Sequence, residues 1–253
     1  MAQIIAVANQ KGGVGKTFLV FHLAYYLWEQ GSRVLAIDLD PQGNLTLSFH
    51  LGQGKWPESC LVAEVFERET LPFEEVEKGL CLSGANIQLA RYEAQASGVG
   101  VYFKLRKALA PHQETFDFVL IDCPPSLGLF SLSAFVAAEK LLVPLRAEVF
   151  SVSGLGDLVN VVQEVQENIN PALEIVGLVL NAVHQRTKVA RETLAELEKS
   201  QGLPVLAQIP ASIKIEESLR AGKPLWRLEP GHKMAPRLKE AMAQITQALI
   251  RSS

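Results

Sequence analysis

The chain has 253 residues, 48% of them hydrophobic and 20% charged, which suits one large buried core in a single domain spanning residues 1–253. Its net charge of −3 argues against a molecule that is basic throughout, and Cys60, Cys81 and Cys123 lack the paired spacing of a zinc or redox site, so buried thiols in a reducing compartment are expected. The first residues, MAQIIAVAN, carry no basic segment, and the longest apolar run is broken by Glu139 and Lys140, which excludes a signal peptide and a membrane span and predicts a soluble, cytoplasmic protein.

In chain order, apolar β-rich runs predict strands at 4–8, 33–37, 87–90, 116–121, 140–144, 175–180 and 205–209. Helical patterns fall at 16–29, 94–109, 127–138, 152–168, 190–201 and 236–251. The strands are continuously apolar, as when both sheet faces are covered. Alternation of strand and helix then predicts an α/β fold, a doubly wound, mostly parallel sheet flanked by helices, with ligands at the carboxyl ends of the strands.

The first predicted strand runs into Lys11-Gly12-Gly13-Val14-Gly15-Lys16-Thr17 and then a helix. Glycines let backbone N–H groups converge on a phosphate, and the helix N-terminus adds partial positive charge. Lys16 is placed to reach the β and γ phosphates, and the Thr17 hydroxyl to ligate Mg²⁺. The usual phosphate-loop spacing asks for a glycine five residues before Gly15, where this chain has Gln10. Asp38 and Asp40 stand two apart at a strand end before Pro41, so a continuing strand would aim both at one face, although Pro41 turns the chain. Asp122 ends another apolar strand, where an acid is costly to bury without a cation. Asn181 ends a third, and an amide there can pair with an adenine edge or simply turn the chain.

The segment KGGVGKT resembles the deviant Walker A loop of the ParA/MinD family of P-loop NTPases. VLAIDLDPQGN (34–44) resembles that family's second motif, and FVLIDCPP (118–125) its Walker B strand. The resemblance covers essentially the whole chain and implies an ATPase with ATP and Mg²⁺ as cofactors. It implies that residues 11–18 cradle the phosphates, that Asp40 positions the attacking water, that Asp38 supports loop and metal, and that Thr17 and Asp122 hold Mg²⁺. It also implies that Asn181 and the segment beginning Ile209-Pro210 surround the base, and that Lys11 reaches across an ATP-dependent homodimer to the partner's nucleotide. Phe18 departs from the family, which commonly places there a Thr or Ser that touches the α phosphate; only the backbone N–H of residue 18 remains available for that contact.

Charge is uneven along the chain: from Asn181 onward 12 Lys/Arg face 7 Asp/Glu, against 12 and 20 in the remainder. A basic C-terminal third on an acidic body suits sequence-blind, salt-sensitive binding of double-stranded DNA. Arg186, Lys188, Lys214, Arg220 and Lys223 are its first candidates, with Arg191, Arg227, Lys233 and Arg237 behind them. The family resemblance implies a nucleoid-associated positioning switch driven by a ParB-like or cargo-adaptor protein. The chain begins at its first strand, so no N-terminal helix-turn-helix extension is expected. A MinD-like membrane ATPase is the alternative, but the 236–251 helix carries Leu238, Met242, Ile245 and Leu249 on one face without bulky aromatics, which favours packing on the sheet. An iron-protein-like cluster ATPase needs paired cysteines, and only Cys123 lies near the motifs. A nucleotide-binding regulator without hydrolysis is a further reading that Phe18 leaves open.

Overall fold

The computed structural model describes residues 1–53, 61–146, 152–183 and 202–251. Within them the strands are β1 (Gln3–Val7), β2 (Val34–Asp38), β3 (Glu74–Glu77), β4 (Leu80–Ser83), β5 (Phe118–Asp122), β6 (Lys140–Arg146), β7 (Glu174–Val183) and β8 (Val205–Pro210). They form one sheet in the order β3-β4-β2-β5-β1-β6-β7-β8. All neighbours are parallel except β3 and β4. The charged sequence of β3, Glu-Glu-Val-Glu, suits its place at an edge, where it discourages pairing with another chain.

Period-two alternation divides each central strand between two cores. From β1, Ile4 and Ala6 face a core shared with helices α3 (Ala63–Arg68), α5 (Lys104–Leu109), α6 (Leu129–Ala137) and α7 (Val152–Asn168). Ile5 and Val7 face the other core, shared with α1 (Lys16–Glu29), α2 (Asn44–Gln53), α8 (Ile213–Arg220), α9 (Leu225–Leu228) and α10 (Ala235–Arg251). Burial on both faces explains why these strands read as unbroken apolar runs. The apolar stripe of α10 is covered in the same way, with Leu238, Met242, Ile245 and Leu249 all fully buried.

Two expectations are corrected. Residues 87–90 are not a strand: Asn86 caps a single 3₁₀ turn over Ile87–Leu89 by accepting the Gln88 N–H at 3.0 Å, and α4 (Ala90–Gln95) follows. Ile87 is exposed, so its β propensity has no sheet to serve; the strand beside β2 is β4, whose Leu80 and Leu82 are buried there. The helix expected over 94–109 is broken at Gly98, whose φ of 75° lies in the left-handed region, and only α5 remains regular. The helix expected over 190–201 lies outside the described residues.

His22 lies in the middle of α1, wholly buried. A carbonyl can only accept, so Nδ1–H donates to Phe18 O at 2.9 Å, which leaves Nε2 facing Ser218 Oγ of α8 at 3.3 Å. Burial pushes its pKa down to about 4, below the ordinary value near 6.5. A depressed pKa gives stability that is present above the unfolded pKa and lost as pH falls. Denaturant titrations between pH 7 and pH 4 should therefore show about 3 kcal/mol of loss traceable to this residue. In His22→Asn the slope of stability against pH over that range should be shallower by close to one proton.

Candidate functional site

Strand register sets the site. Val7, Asp38 and Asp122 stand level at the carboxyl ends of β1, β2 and β5, so the loop after β1 passes over two buried carboxylates. Asn9 shapes the start of that loop: its Oδ1 accepts the Lys11 N–H at 2.9 Å, and its Nδ2 donates to Pro144 O at 2.8 Å. Sequence reasoning missed this residue, although an Asn three positions before a glycine run is a turn former.

The loop ends at Gly15, which has φ 99° and caps α1 without any side-chain hydrogen bond to the free N–H groups of the first turn. Those donors and the helix dipole make an anion site. A Cβ on Gly15 would stand 2.0 Å from Asn181 Nδ2, so glycine is required by conformation and by contact. Asn181, at the end of β7, donates to Val14 O at 3.1 Å and accepts the Ala182 N–H at 2.9 Å. It braces the loop from the side; one further N–H and one further lone pair are left for a ligand. The neighbouring Ala182 holds a left-handed φ of 55°, a strained conformation of the sort found beside ligand sites.

Lys16 lies back along the loop, 7% exposed, with Nζ donating to Lys11 O at 3.2 Å. Burial lowers its pKa, opposed by the charges of Asp122 and Asp40. Thr17 Oγ1 donates to Asp122 Oδ2 at 2.7 Å. Burial raises the Asp122 pKa well above the ordinary range, and repulsion from Asp38 adds to it, against the Thr17 hydrogen bond and Lys16. Asp122 Oδ1 is buried and has no hydrogen-bond partner among the described residues, so one carboxylate oxygen is left to a cation. The Thr17 hydroxyl and the Asp122 carboxylate are hard oxygen donors, and with the phosphate oxygens of a bound nucleotide they would complete the kind of set that Mg²⁺ prefers.

Asp38 is used differently. Its Oδ1 accepts the Asp40 N–H at 3.0 Å, and its Oδ2 accepts both the N–H and the hydroxyl of Thr46, at 2.9 and 2.7 Å. Burial raises its pKa to about 6, with those hydrogen bonds pulling the other way. Both oxygens are thus engaged by protein donors, and Asp38 acts as a brace for the loop that carries Asp40. Thr46, which sequence reasoning missed, also accepts the Ala85 N–H at 2.8 Å and so ties that loop to the end of β4. Asp40 is 9% exposed and faces a cavity of about 470 Å³ whose wall includes Gly12, Lys16, Thr17 and Asn44.

A second cavity, of about 260 Å³, adjoins it and is bounded by Asn181, Pro210, Ser212 and Ile215. Gly13, Gly15, Phe18, Leu219 and Arg220 border both. The arrangement is one elongated site, with a carboxylate and metal-donor lobe beside an amide-lined lobe sized for a base. Of the expected DNA contacts, Arg186 and Lys188 lie outside the described residues. Lys214 is engaged with Glu217 at 3.0 Å and Glu229 at 2.9 Å, Lys223 is exposed, and Arg220 borders the cavities.

Comparison with known proteins agrees with this geometry. An AAA domain family model matches residues 2–175. The chromosome-partitioning ATPase Soj of Thermus thermophilus is 36% identical over 258 residues, covering 96% of this chain and 97% of that protein. The chain belongs to the AAA domain family, in its Soj/ParA branch of P-loop ATPases. The sporulation initiation inhibitor Soj of Bacillus subtilis is 34% identical, covering 91% and 92% of the two chains. Among solved structures, cobyrinic acid a,c-diamide synthase from Mycobacterium smegmatis with bound ADP and magnesium matches with TM-score 0.83 and 34% identity, over 100% and 97% of the chains. An ATP complex of an McdA variant from Cyanothece matches with TM-score 0.84 and 25% identity, over 98% and 96%.

Of the three loop glycines, Gly12 and Gly15 make a contrasting pair. Gly15→Ala should lower stability by about 1–3 kcal/mol from backbone strain alone, and nucleotide binding should be lost with it. An added Cβ on Gly12 meets nothing within 4 Å, so Gly12→Ala should leave the melting temperature unchanged. Thermal melts of both variants with and without nucleotide check this.

Proposed function

We propose that this Soj/ParA-type ATPase is an ATP-dependent dimerising switch that binds DNA without sequence preference and positions a cargo. It is a partition-type ATPase by family; the observation that carries the catalytic part is the vacant oxygen of Asp122 beside Thr17 and beneath an uncapped helix N-terminus. Hydrolysis of ATP needs phosphate charge neutralised and a water aligned, with little covalent help from the protein. Lys16 and the α1 N-terminus supply positive potential to the phosphate chain. Thr17 and Asp122 would hold Mg²⁺, which when bound neutralises charge on the phosphate oxygens. Asp40, held in place by Asp38, faces the same cavity and would orient the attacking water and accept its proton.

Lys11 supports the dimeric part of the reading, since a cation ahead of the glycines could counter the phosphates of a second nucleotide across a subunit interface. For DNA, the candidates are Lys223, Lys233 and Arg237, together with Arg186 and Lys188 outside the described residues. The membrane alternative is disfavoured by the burial of the apolar stripe of α10, and among the described residues no helix is long and apolar enough to cross a membrane. A ParB-like or adaptor protein would stimulate turnover, and nucleoid association would follow from DNA binding.

Steady-state phosphate release tests the catalytic assignment. Asp40→Ala should keep ATP binding within a few fold while turnover falls about 10²-fold or more, whereas Lys16→Ala should lose both. Equal turnover in Asp40→Ala and the parent would remove Asp40 from the chemistry. Duplex DNA binding with ATP, ADP and no nucleotide, at two salt concentrations, tests the switch. Binding should require ATP and should weaken steeply with salt, with a log–log slope of magnitude roughly equal to the number of phosphates contacted. Affinity that ignores the nucleotide would overturn the switch while leaving the ATPase standing.

A further inference from the structure

Two of the four basic residues around α8 and α9 are neutralised within the chain. Lys214 pairs with Glu217 and Glu229, and Arg227 pairs with Glu77 at 3.2 Å and Glu29 at 3.6 Å. Arg220, in the last turn of α8, stands apart: it is exposed, its side chain has no ion pair or hydrogen bond among the described residues, and it borders both lobes of the nucleotide site. Arg146 borders only the base-sized lobe.

The site needs a cation where Arg220 lies. Its wall carries Asp40, and two buried acids lie just behind it, Asp38 accepting the Asp40 N–H and Asp122 accepting the Thr17 hydroxyl. Against them and a triphosphate, Lys16 is the other basic side chain on the wall of the carboxylate lobe, and it is already drawn toward Lys11 O. The two lobes meet at Gly13, Gly15 and Phe18, so a nucleotide occupying both must pass its phosphates along this shared wall. Phe18 offers no side-chain donor there; its ring is 7% exposed and packs on His22 at 4.2 Å between centroids. Arg220 shares both walls with Phe18 and carries a planar set of donors that matches phosphate oxygens in a way a lysine cannot.

We propose that Arg220 is a phosphate-contacting residue of the nucleotide site, supplied by α8 of the same subunit, which offers the donor that Phe18 lacks. The proposal rests on the ATPase reading and takes Arg220 out of the DNA-binding set. It also gives α8 a reason to respond to nucleotide, because His22 and Ser218 already join that helix to α1.

Calorimetric titration of the full chain with ATP, ADP and adenosine in the presence of Mg²⁺ tests it, using the parent, Arg220→Ala and Arg220→Lys. Arg220→Ala should weaken ATP and ADP about tenfold or more and leave adenosine unchanged within twofold. Arg220→Lys should recover only part of the loss. Because Arg220 is exposed and unpaired, thermal melts without nucleotide should coincide for all three proteins. Unchanged ATP and ADP affinity in Arg220→Ala would overturn the proposal, as would an equal loss for adenosine, which would place the effect on the base. Intact nucleotide affinity with lost DNA binding would return Arg220 to the DNA surface. Failure of the parent to bind ATP would overturn the ATPase reading itself, a result visible before any variant is compared.

Discussion

Two carboxylates buried side by side under a glycine loop are the constraint on which the rest of this molecule turns. Parallel pairing in register puts Asp38 and Asp122 level on β2 and β5, where desolvation and mutual repulsion would favour protonation of both. The surrounding structure answers each acid differently. Asp38 is satisfied by three protein donors from Asp40 and Thr46, so its charge is converted into rigidity of the loop carrying Asp40. Among the described residues Asp122 receives the Thr17 hydroxyl alone and keeps one oxygen without a partner. An unsatisfied buried carboxylate oxygen costs stability until a cation arrives, and a nucleotide carrying Mg²⁺ is such a cation source. Folding and ligand binding are therefore linked through one atom, and the protein is expected to be more stable when loaded.

The sheet supports that arrangement by close packing on both of its faces. Strands β1, β5 and β6 are buried on both faces by two separate cores, and at the carboxyl ends of β2 and β5 Asp38 and Asp122 are shielded from solvent. Helix α1 is buried along most of its length, from Phe18 through Leu27, and its N-terminus is aimed at the anion site by packing rather than by any cap. The bracing of Val14 by Asn181 comes from β7, on the far side of β6. A loop of glycines, which by composition should be the most entropically costly segment of the chain, is thus held from below by Asn9 and from the side by Asn181.

How much of this could be read from the sequence depended on whether the determining interaction was local. Lys16, Thr17 and the loop glycines are set by chain order alone, strand then loop then helix, and were legible. Asp122 was legible because an acid closing an apolar strand has few alternatives. The role of Thr46 was not, since it arises from contacts to Asp38 eight residues away and to Ala85 thirty-nine residues away, and no local pattern distinguishes it from any helical threonine. The misplaced strand at 87–90 has the same origin. Ile87 and Leu89 have strand propensity, but the place beside β2 is taken by β4, which pairs through Leu80 and Leu82, and the Asn86 cap diverts the following residues into a turn. The broken helix at Gly98 shows the converse, a single local residue overriding a longer periodic pattern.

The basic C-terminal third is where counting charges and locating them give different answers. Twelve Lys/Arg against seven Asp/Glu describes a net excess, but the partners that matter are not confined to the segment. Arg227 reaches Glu77 on β3 and Glu29 on α1, and Lys239 reaches Glu29 at 3.1 Å. These exposed pairs contribute little to stability, yet they hold cations against the body of the protein and lower the positive potential offered to a polyanion. The field that remains comes from side chains without such partners among the described residues, of which Lys223 faces solvent and Arg220 borders the two cavities. A surface that binds DNA and a pocket that binds triphosphate would then draw on neighbouring residues of one short helix and the turn that follows it. Occupancy of the pocket could change the position of α8, and with it the cations presented outward, without any rearrangement of the sheet. That is a physical route by which ATP would control the proposed DNA affinity: Arg220 ends α8 beside the nucleotide site, Lys223 follows it in the next turn, and His22 with Ser218 ties that helix to α1 behind the phosphate loop.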